Sequence, residues 1–234
     1  MRSPRPVTWF ETRHQAGTRL EVHRHREAYV ALVVDGAYHE ASADGLWWCE
    51  PGTLVIHPPL HAHANAFPLR GVRVLNARLD GGHRTVRRYG AWTTALSATP
   101  SHWRSASADD LLAAVAGATP LEPIAGPPFV QALARELRSC DSTRVAGAAR
   151  RAHVSREHAA RTFRRHFGMP PRSFRAEHRL RFAIDLLGTT ALPLSCVAHD
   201  AGFADQAHFT RTVKTALGLT PGALRRWWKD NQTG

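Results

Sequence analysis

Apolar positions change their period near residue 128, and that change divides the chain. Before it, residues 19–23, 29–34, 53–56 and 72–77 are short runs rich in Val, Leu, Ile and aromatic side chains. Asp35-Gly36, Asp44-Gly45 and Pro51-Gly52 separate them, and such pairs favour turns because Gly reaches positive φ while Asp bonds its own backbone. Short strands at this spacing predict an antiparallel barrel or jelly roll. After residue 128 the apolar positions recur every three or four: Phe129, Leu133, Leu137; Ala159, Phe163, Phe167; Ala176, Leu180, Ala183, Leu187; Phe209, Val213, Leu217. Stripes of this kind predict helices that bury one face.

The helical part contains one local pattern twice, 50 residues apart. Residues 145–155 form a short alanine-containing helix and a turn, then residues 156–168 a longer basic helix; residues 194–205 and 206–218 repeat this. Ser155 and Asp205 predict N-caps, because their oxygens can accept from an otherwise unpaired backbone N–H. Gly168 and Gly218 suit the left-handed residue that ends a helix, and Gly202 suits the tight turn of the second copy. Pro171 predicts the first turn of a connecting helix that Gly188 ends, about 25 Å long. Thr220-Pro221 begins a last helix carrying Arg225, Arg226, Trp227 and Trp228. A short helix, a turn and a longer helix twice over predict two helix-turn-helix units, whose second helices lie in a DNA major groove. The predicted fold is α+β in two domains: an antiparallel β-barrel over 1–80 and an all-α domain over 128–234 with two helix-turn-helix units joined by a long helix. Residues 81–127, broken by Gly81-Gly82, Pro100, Pro120, Pro123 and Pro127-Pro128, read as a connector with one helix near 109–116.

Charge sharpens the picture. The net charge is +12, and residues 142–234 hold 16 Lys and Arg against 6 Asp and Glu. A basic excess placed on the repeated motif is what phosphate neutralisation requires. No charge-free apolar stretch approaches the ~18 residues of a membrane span. Residues 1–20 lack the apolar core of an export signal. Cys49, Cys140 and Cys196 form no Cys-x-x-Cys pair, so they read as reduced structural thiols in a cytoplasmic protein.

The stretch Val197-Ala-His-Asp-Ala-Gly-Phe203, Asp205-Gln-Ala-His-Phe209-Thr-Arg211 and Gly218-Leu-Thr-Pro221 resembles the arabinose-regulator (AraC-type) family of bacterial transcription factors. Its pattern runs V-A-x-x-x-G-F-x-D-x-x-x-F-x-R-x-F-K, then G-x-x-P. The chain departs at Val213, where the family usually has Phe. The resemblance covers roughly 129–228 and implies binding of double-stranded DNA through two adjacent major-groove segments. Carried over by position, the first recognition helix offers Arg156, Glu157, His158 and Arg161, and the second Asp205, Gln206, Ala207, His208 and Arg211. Arg161 and Arg211 would bridge guanine O6 and N7, Gln206 would pair with adenine, and Glu157 would accept from cytosine N4. Arg165, Arg175, Arg179 and Thr210 are expected on phosphates. RNA polymerase is an expected partner if the protein activates, and a homodimer is a further candidate.

The amino-terminal part resembles a cupin. Gly17-x5-His23-x-His25-x3-Tyr29-x6-Gly36 has the spacing of the first cupin motif, with Tyr29 in the glutamate position. Gly45-x5-Pro51-Gly52 and His61-x3-Asn65 resemble the second. His23 and His25, two apart on a strand, would share one side. His61 or its neighbour His63 would complete a three-imidazole site for Zn²⁺, Ni²⁺ or Fe²⁺, and Glu27 is a candidate replacement for the missing glutamate. The alternative is a histidine-lined pocket for an organic effector without metal. Trp47 and Trp48 read as core or rim aromatics.

Three functions compete. One is an effector-responsive DNA-binding regulator that requires no cofactor and is not an enzyme. The second is a metal-dependent cupin enzyme with an incidental basic tail. The third is a constitutive DNA binder whose barrel only dimerises.

Overall fold

The computed structural model describes residues 8–68, 70–79, 90–93, 110, 113–114, 116–139 and 145–230. The chain divides into two compact units, Met1–Ala125 and Gly126–Gly234.

Among the described residues, the first unit holds ten strands: β1 (Thr8–His14), β2 (Arg19–Arg24), β3 (Tyr29–Asp35), β4 (Tyr38–Ser42), β5 (Gly45–Cys49), β6 (Thr53–His57), β7 (Ala62–Ala66), β8 (Val72–Arg78), β9 (Gly90–Thr93) and β10 (Thr119–Pro120). They form a six-stranded sheet in the order β1-β8-β3-β6-β9-β10 and a four-stranded sheet in the order β2-β7-β4-β5, with antiparallel neighbours throughout. β3 and β6 are almost continuously buried rather than alternating, because apolar residues cover both faces of the larger sheet. Ala31, Val33, Val55 and Val74 pack with Tyr38, Trp47 and Phe67 on one face. Val30, Leu32, Leu54, Ile56 and Leu75 pack with Leu79, Trp9, Trp92 and Ala114 on the other. A strand buried on both sides loses the polar half of its pattern.

Residues read as connector join this unit. β9 pairs with β6 and β10 with β9, and Leu121 N–H donates to Ala91 C=O at 2.8 Å, while Ile124 N–H donates to Leu46 C=O at 2.6 Å. Trp47 is core, with its indole N–H donating to Leu121 C=O at 3.1 Å. Of the helix expected at 109–116, Asp110, Ala113, Ala114 and Ala116 are helical. The rest of it lies outside the described residues, as do Gly81, Gly82, Pro100 and Cys140. Cys49 is buried and Cys196 exposed, both as free thiols.

The second unit is helical: α1 (Pro128–Arg138), α2 (Val145–Arg151), α3 (Arg156–Phe167), α4 (Pro171–Thr189), α5 (Leu194–Asp200), α6 (Gln206–Leu217) and α7 (Pro221–Asp230). α2–α3 and α5–α6 are the two helix-turn-helix units, and the long α4 joins them. Two details differ from the sequence reading. Ala176 is exposed, and the buried face of α4 runs instead through Phe174, Glu177, Leu180, Ala183, Ile184 and Leu187, because α4 turns toward α1 and α7 a face that includes a polar residue. Gly188 does not end α4, which continues to Thr189. A Cβ at Gly188 would collide with the Trp228 indole, so the glycine admits α7 against α4. Among the described residues, no helix is long and apolar enough to cross a membrane.

Candidate nucleic-acid interface and histidine-lined cavity

Each recognition helix is fixed by a cap, a buried stripe and a left-handed stop. Ser155 Oγ accepts from His158 N–H at 3.1 Å, and Asp205 Oδ1 accepts from His208 N–H at 2.6 Å. Each bond satisfies one backbone donor that the helix start leaves open. Ala159, Phe163 and Phe167 are buried in α3, and Phe209, Val213 and Leu217 in α6. Gly168 and Gly218 end the helices at φ 72° and 70°. With the stripes packed inward, Arg156, Glu157, His158, Arg161 and Arg165 are exposed on α3. Gln206, Ala207, His208 and Arg211 are exposed on α6, with Asp205 exposed at its start; Thr210 is half-buried. Arg175 and Arg179 are half-buried on α4.

In the two-sheet unit, strand register gathers histidines. β2 and β7 pair His23 with His63, β3 and β6 pair Tyr29 with His57, and β4 and β7 pair Glu40 with Asn65. A cavity of about 190 Å³ lies between the sheets, lined by imidazoles, Tyr29, Glu40 and Asn65 as well as apolar side chains such as Phe67 and Val74. His23, His25 and His63 offer ring nitrogens within 4.8 Å of one another, and so do His57, His61 and His63. The expected set of His23, His25, His61, His63 and Glu27 is therefore divided. His61 groups with His57, and Glu27 is exposed at the cavity wall. His25 lies just beyond the end of β2. His57, which the sequence reading missed, carries no spacing motif; its signal is a histidine ending an otherwise apolar strand.

Tyr29, standing at the cupin glutamate position, bonds His63 Nε2 through its hydroxyl at 3.0 Å and stacks on His57 with ring centres 4.2 Å apart. Glu40 is fully buried and accepts from Asn65 Nδ2 at 2.7 Å. Burial, then the neighbouring imidazoles, holds His57 and His63 well below the usual histidine value. Burial and then Glu40 push the Tyr29 phenol up. The wall thus presents neutral imidazoles and a neutral phenol near pH 7.

Residues 148–226 match the family described as "Helix-turn-helix domain". Over 78 residues the chain is 41% identical to the HTH-type transcriptional regulator GlxA of Rhizobium meliloti, a match covering 33% of this chain and 24% of that protein. It is 32% identical over 81 residues to the arabinose operon regulatory protein of Escherichia coli, covering 35% and 28%. The helical unit contains a helix-turn-helix domain similar in sequence to part of these regulators. The chain spans about a quarter of the length of these curated relatives. A solved DNA-binding domain, that of AdpA in complex with a target DNA, is 26% identical at a TM-score of 0.41, covering 46% of this chain and 98% of that one. In this helix-turn-helix domain both Arg161 and Arg211 are exposed on the longer helices, whereas one carboxylate oxygen of Asp205 is committed to the cap.

Proposed function

We propose that the chain is a sequence-specific transcriptional regulator that binds double-stranded DNA through both AraC-type units and responds to an effector through its barrel. The observation that carries this reading is the pair of capped helices, each with its apolar stripe buried and its polar face open, in the part of the chain holding the basic excess. The helix-turn-helix family match falls within this part of the chain, at residues 148–226. Arg161 and Arg211 would each take a guanine in bidentate fashion, Gln206 an adenine and Glu157 a cytosine N4, with Arg156, His158, Ala207 and His208 alongside on the same faces. Asp205 holds the first turn of α6 rather than reading a base. Arg165, Arg175, Arg179 and Thr210 would clamp phosphates and set the register.

The cavity supports an effector-responsive barrel over a purely dimerising one, because imidazoles, a carboxylate and an amide converge there. A small organic molecule or a divalent metal (Zn²⁺, Ni²⁺ or Fe²⁺) would be taken in this space. Two overlapping sets (His23, His25 and His63; His57, His61 and His63) each fit a metal as three clustered imidazoles; a bound ion would supply charge and fix ring orientation. RNA polymerase and a second copy of the chain are the further partners of this reading. A cupin enzyme is disfavoured by Tyr29 at the carboxylate position.

Selection from random duplexes, followed by titration at fixed salt, tests the reading. Arg211→Ala should cost about 1–3 kcal/mol on the selected site and relax preference at one or two base pairs. Equal weakening on selected and random DNA would make Arg211 a phosphate contact. Selection that enriches no sequence would refute the regulator reading.

A further inference from the structure

We propose that the amino-terminal unit binds its divalent transition metal at the inner set, His57, His61 and His63, rather than at the outer set of His23, His25 and His63; motif spacing leaves the third ligand open between His61 and His63. This deepens the effector reading and rests on the barrel alone, so it stands or falls independently of DNA binding.

Burial is the first argument. His57, His61 and His63 are 2%, 4% and 1% exposed, whereas His25 is exposed and His23 half-buried. An ion at the inner set is shielded from competing water, and His57 and His63 line the cavity that gives access to it.

The second argument is orientation. A metal-bound imidazole usually has its other nitrogen held by an oxygen, which fixes the tautomer and aims the ligand atom. Two of the inner rings have such a partner on Nε2, and the third has a carboxylate nearby that is not within hydrogen-bond distance. His61 Nε2 lies 2.9 Å from Asp44 Oδ2, His63 Nε2 lies 3.0 Å from the Tyr29 hydroxyl, and His57 Nε2 lies 3.8 Å from Glu40 Oε1. The Nδ1 atoms of the same rings are buried; for His61 and His63, whose Nε2 atoms are held, Nδ1 is the nitrogen that would turn to the ion. In the outer set the comparable support is a backbone carbonyl, Glu21 C=O, 2.8 Å from His23 Nδ1. Tyr29 therefore has a use at the cupin glutamate position: it does not ligate, it orients His63.

Charge is the third argument. Glu40 is fully buried, and a buried carboxylate is costly unless cations and hydrogen bonds compensate it. A divalent ion one imidazole away supplies that compensation, and Asp44 adds a second carboxylate behind His61. Tetrahedral coordination with metal–nitrogen distances of about 2.0–2.1 Å puts the nitrogens roughly 3.4 Å apart. One ring nitrogen of each inner histidine, Nδ1 or Nε2, already lies within 4.8 Å of one from each of the other two, so side-chain rotation is the movement that closure requires. The two sets share His63, and one ion occupies one set.

The test is Co²⁺ titration of the full chain, followed by its visible ligand-field bands, with Zn²⁺ competition for affinity. His57→Ala and His61→Ala should abolish the four-coordinate spectrum, while His23→Ala and His25→Ala should retain it. Asp44→Asn and Tyr29→Phe, which keep the three ligands and the side-chain volume, should weaken binding about 10–100-fold. Circular dichroism of each variant reads folding separately, and the Asp44→Asn result decides if His57→Ala fails to fold. Loss of the spectrum in His23→Ala with retention in His57→Ala or with unchanged affinity in Asp44→Asn would overturn the proposal in favour of the outer set. No binding of Co²⁺, Zn²⁺ or Ni²⁺ to the folded wild-type chain would overturn it altogether. Operator binding measured on the same samples reports on the regulator reading separately.

Discussion

In the first helix-turn-helix unit the chain leaves its short helix through Ala152, His153 and Val154; in the second it leaves through Ala201, Gly202, Phe203 and Ala204. Both turns make the same two backbone bonds. His153 N–H donates to Arg150 C=O and Val154 N–H to Ala149 C=O, as Gly202 N–H does to His199 C=O and Phe203 N–H to Ala198 C=O. Both place the residue after the small alanine in the left-handed region, His153 at φ 53° and Gly202 at φ 74°. The extra residue, Ala204, falls after these bonds and before the Asp205 cap. The geometry of the turn is therefore set by its backbone bonds and one left-handed residue, while the side chain there is negotiable at a cost of about 1–2 kcal/mol when it is not glycine.

The cores behind the turns differ in the same sense. Phe163, Phe167 and Phe174 form a mutual aromatic cluster with ring centres 4.6–5.1 Å apart. The second unit has one close pair, Phe203 and Phe209 at 5.1 Å, backed by Val213 and Leu217. The unit with the strained turn has the larger core, and the unit with the smaller core has the relaxed turn. Strain and packing offset one another within each unit.

The largest effect expected from this contrast is in the cores. Phe163→Ala should cost about 3–5 kcal/mol, since it removes a fully buried ring that packs against both Phe167 and Phe174. Val213→Ala, at the equivalent position, should cost nearer 2 kcal/mol for the two methyl groups lost. Urea denaturation of the two variants checks this, and equal costs would break the asymmetry.

Next come the turns. Gly202→Val should cost about 1–3 kcal/mol, because a β-branched residue is forced to positive φ, and DNA binding should fail with it. His153→Gly should instead be neutral or stabilise by up to about 1 kcal/mol, as relief of left-handed strain slightly exceeds glycine's entropy cost. Thermal melts of both variants decide the matter; a destabilised His153→Gly would mean that the imidazole itself supports the first turn.

Acid gives the smallest and most selective difference. His166 is buried in α3, and Gln131 donates to its Nε2 at 3.1 Å; the equivalent position in α6 is Ala216. Burial lowers the His166 pKa from 6.5. Above about pH 6.5 the ring is neutral folded and unfolded. Below it the unfolded chain takes the proton first, so stability falls until the folded ring titrates as well. Amide exchange at pH 7.5 and pH 5 should therefore show protection lost in α3 and kept in α6, and His166→Gln should remove the difference.

Local signals were legible and partnered ones were not. Ser155, Asp205, Gly168 and Gly218 act through their own backbone neighbours, so the sequence pattern located both recognition helices and their ends. The same holds for β3, β6 and β8, whose apolar runs stand out. β7, with sequence Ala-His-Ala-Asn-Ala, has little intrinsic strand preference and exists because β2 and β4 flank it. Without β7 in view, the pairing of His63 with His23 and the separate grouping of His61 could not be read from spacing. His57 was hidden for the same reason, since its partners come from β3, β4 and β7. Gly188 looked like a helix stop because its reason for being small, Trp228, lies 40 residues further on.

The central claim is that two units read two adjacent groove segments, and hydroxyl-radical footprinting on a selected operator tests it most directly. Two protected patches on one face of the duplex, centred roughly 10–10.5 base pairs apart, are predicted. Arg161→Ala and Arg211→Ala should each weaken a different patch. A single protected patch that responds to both substitutions alike would contradict the account.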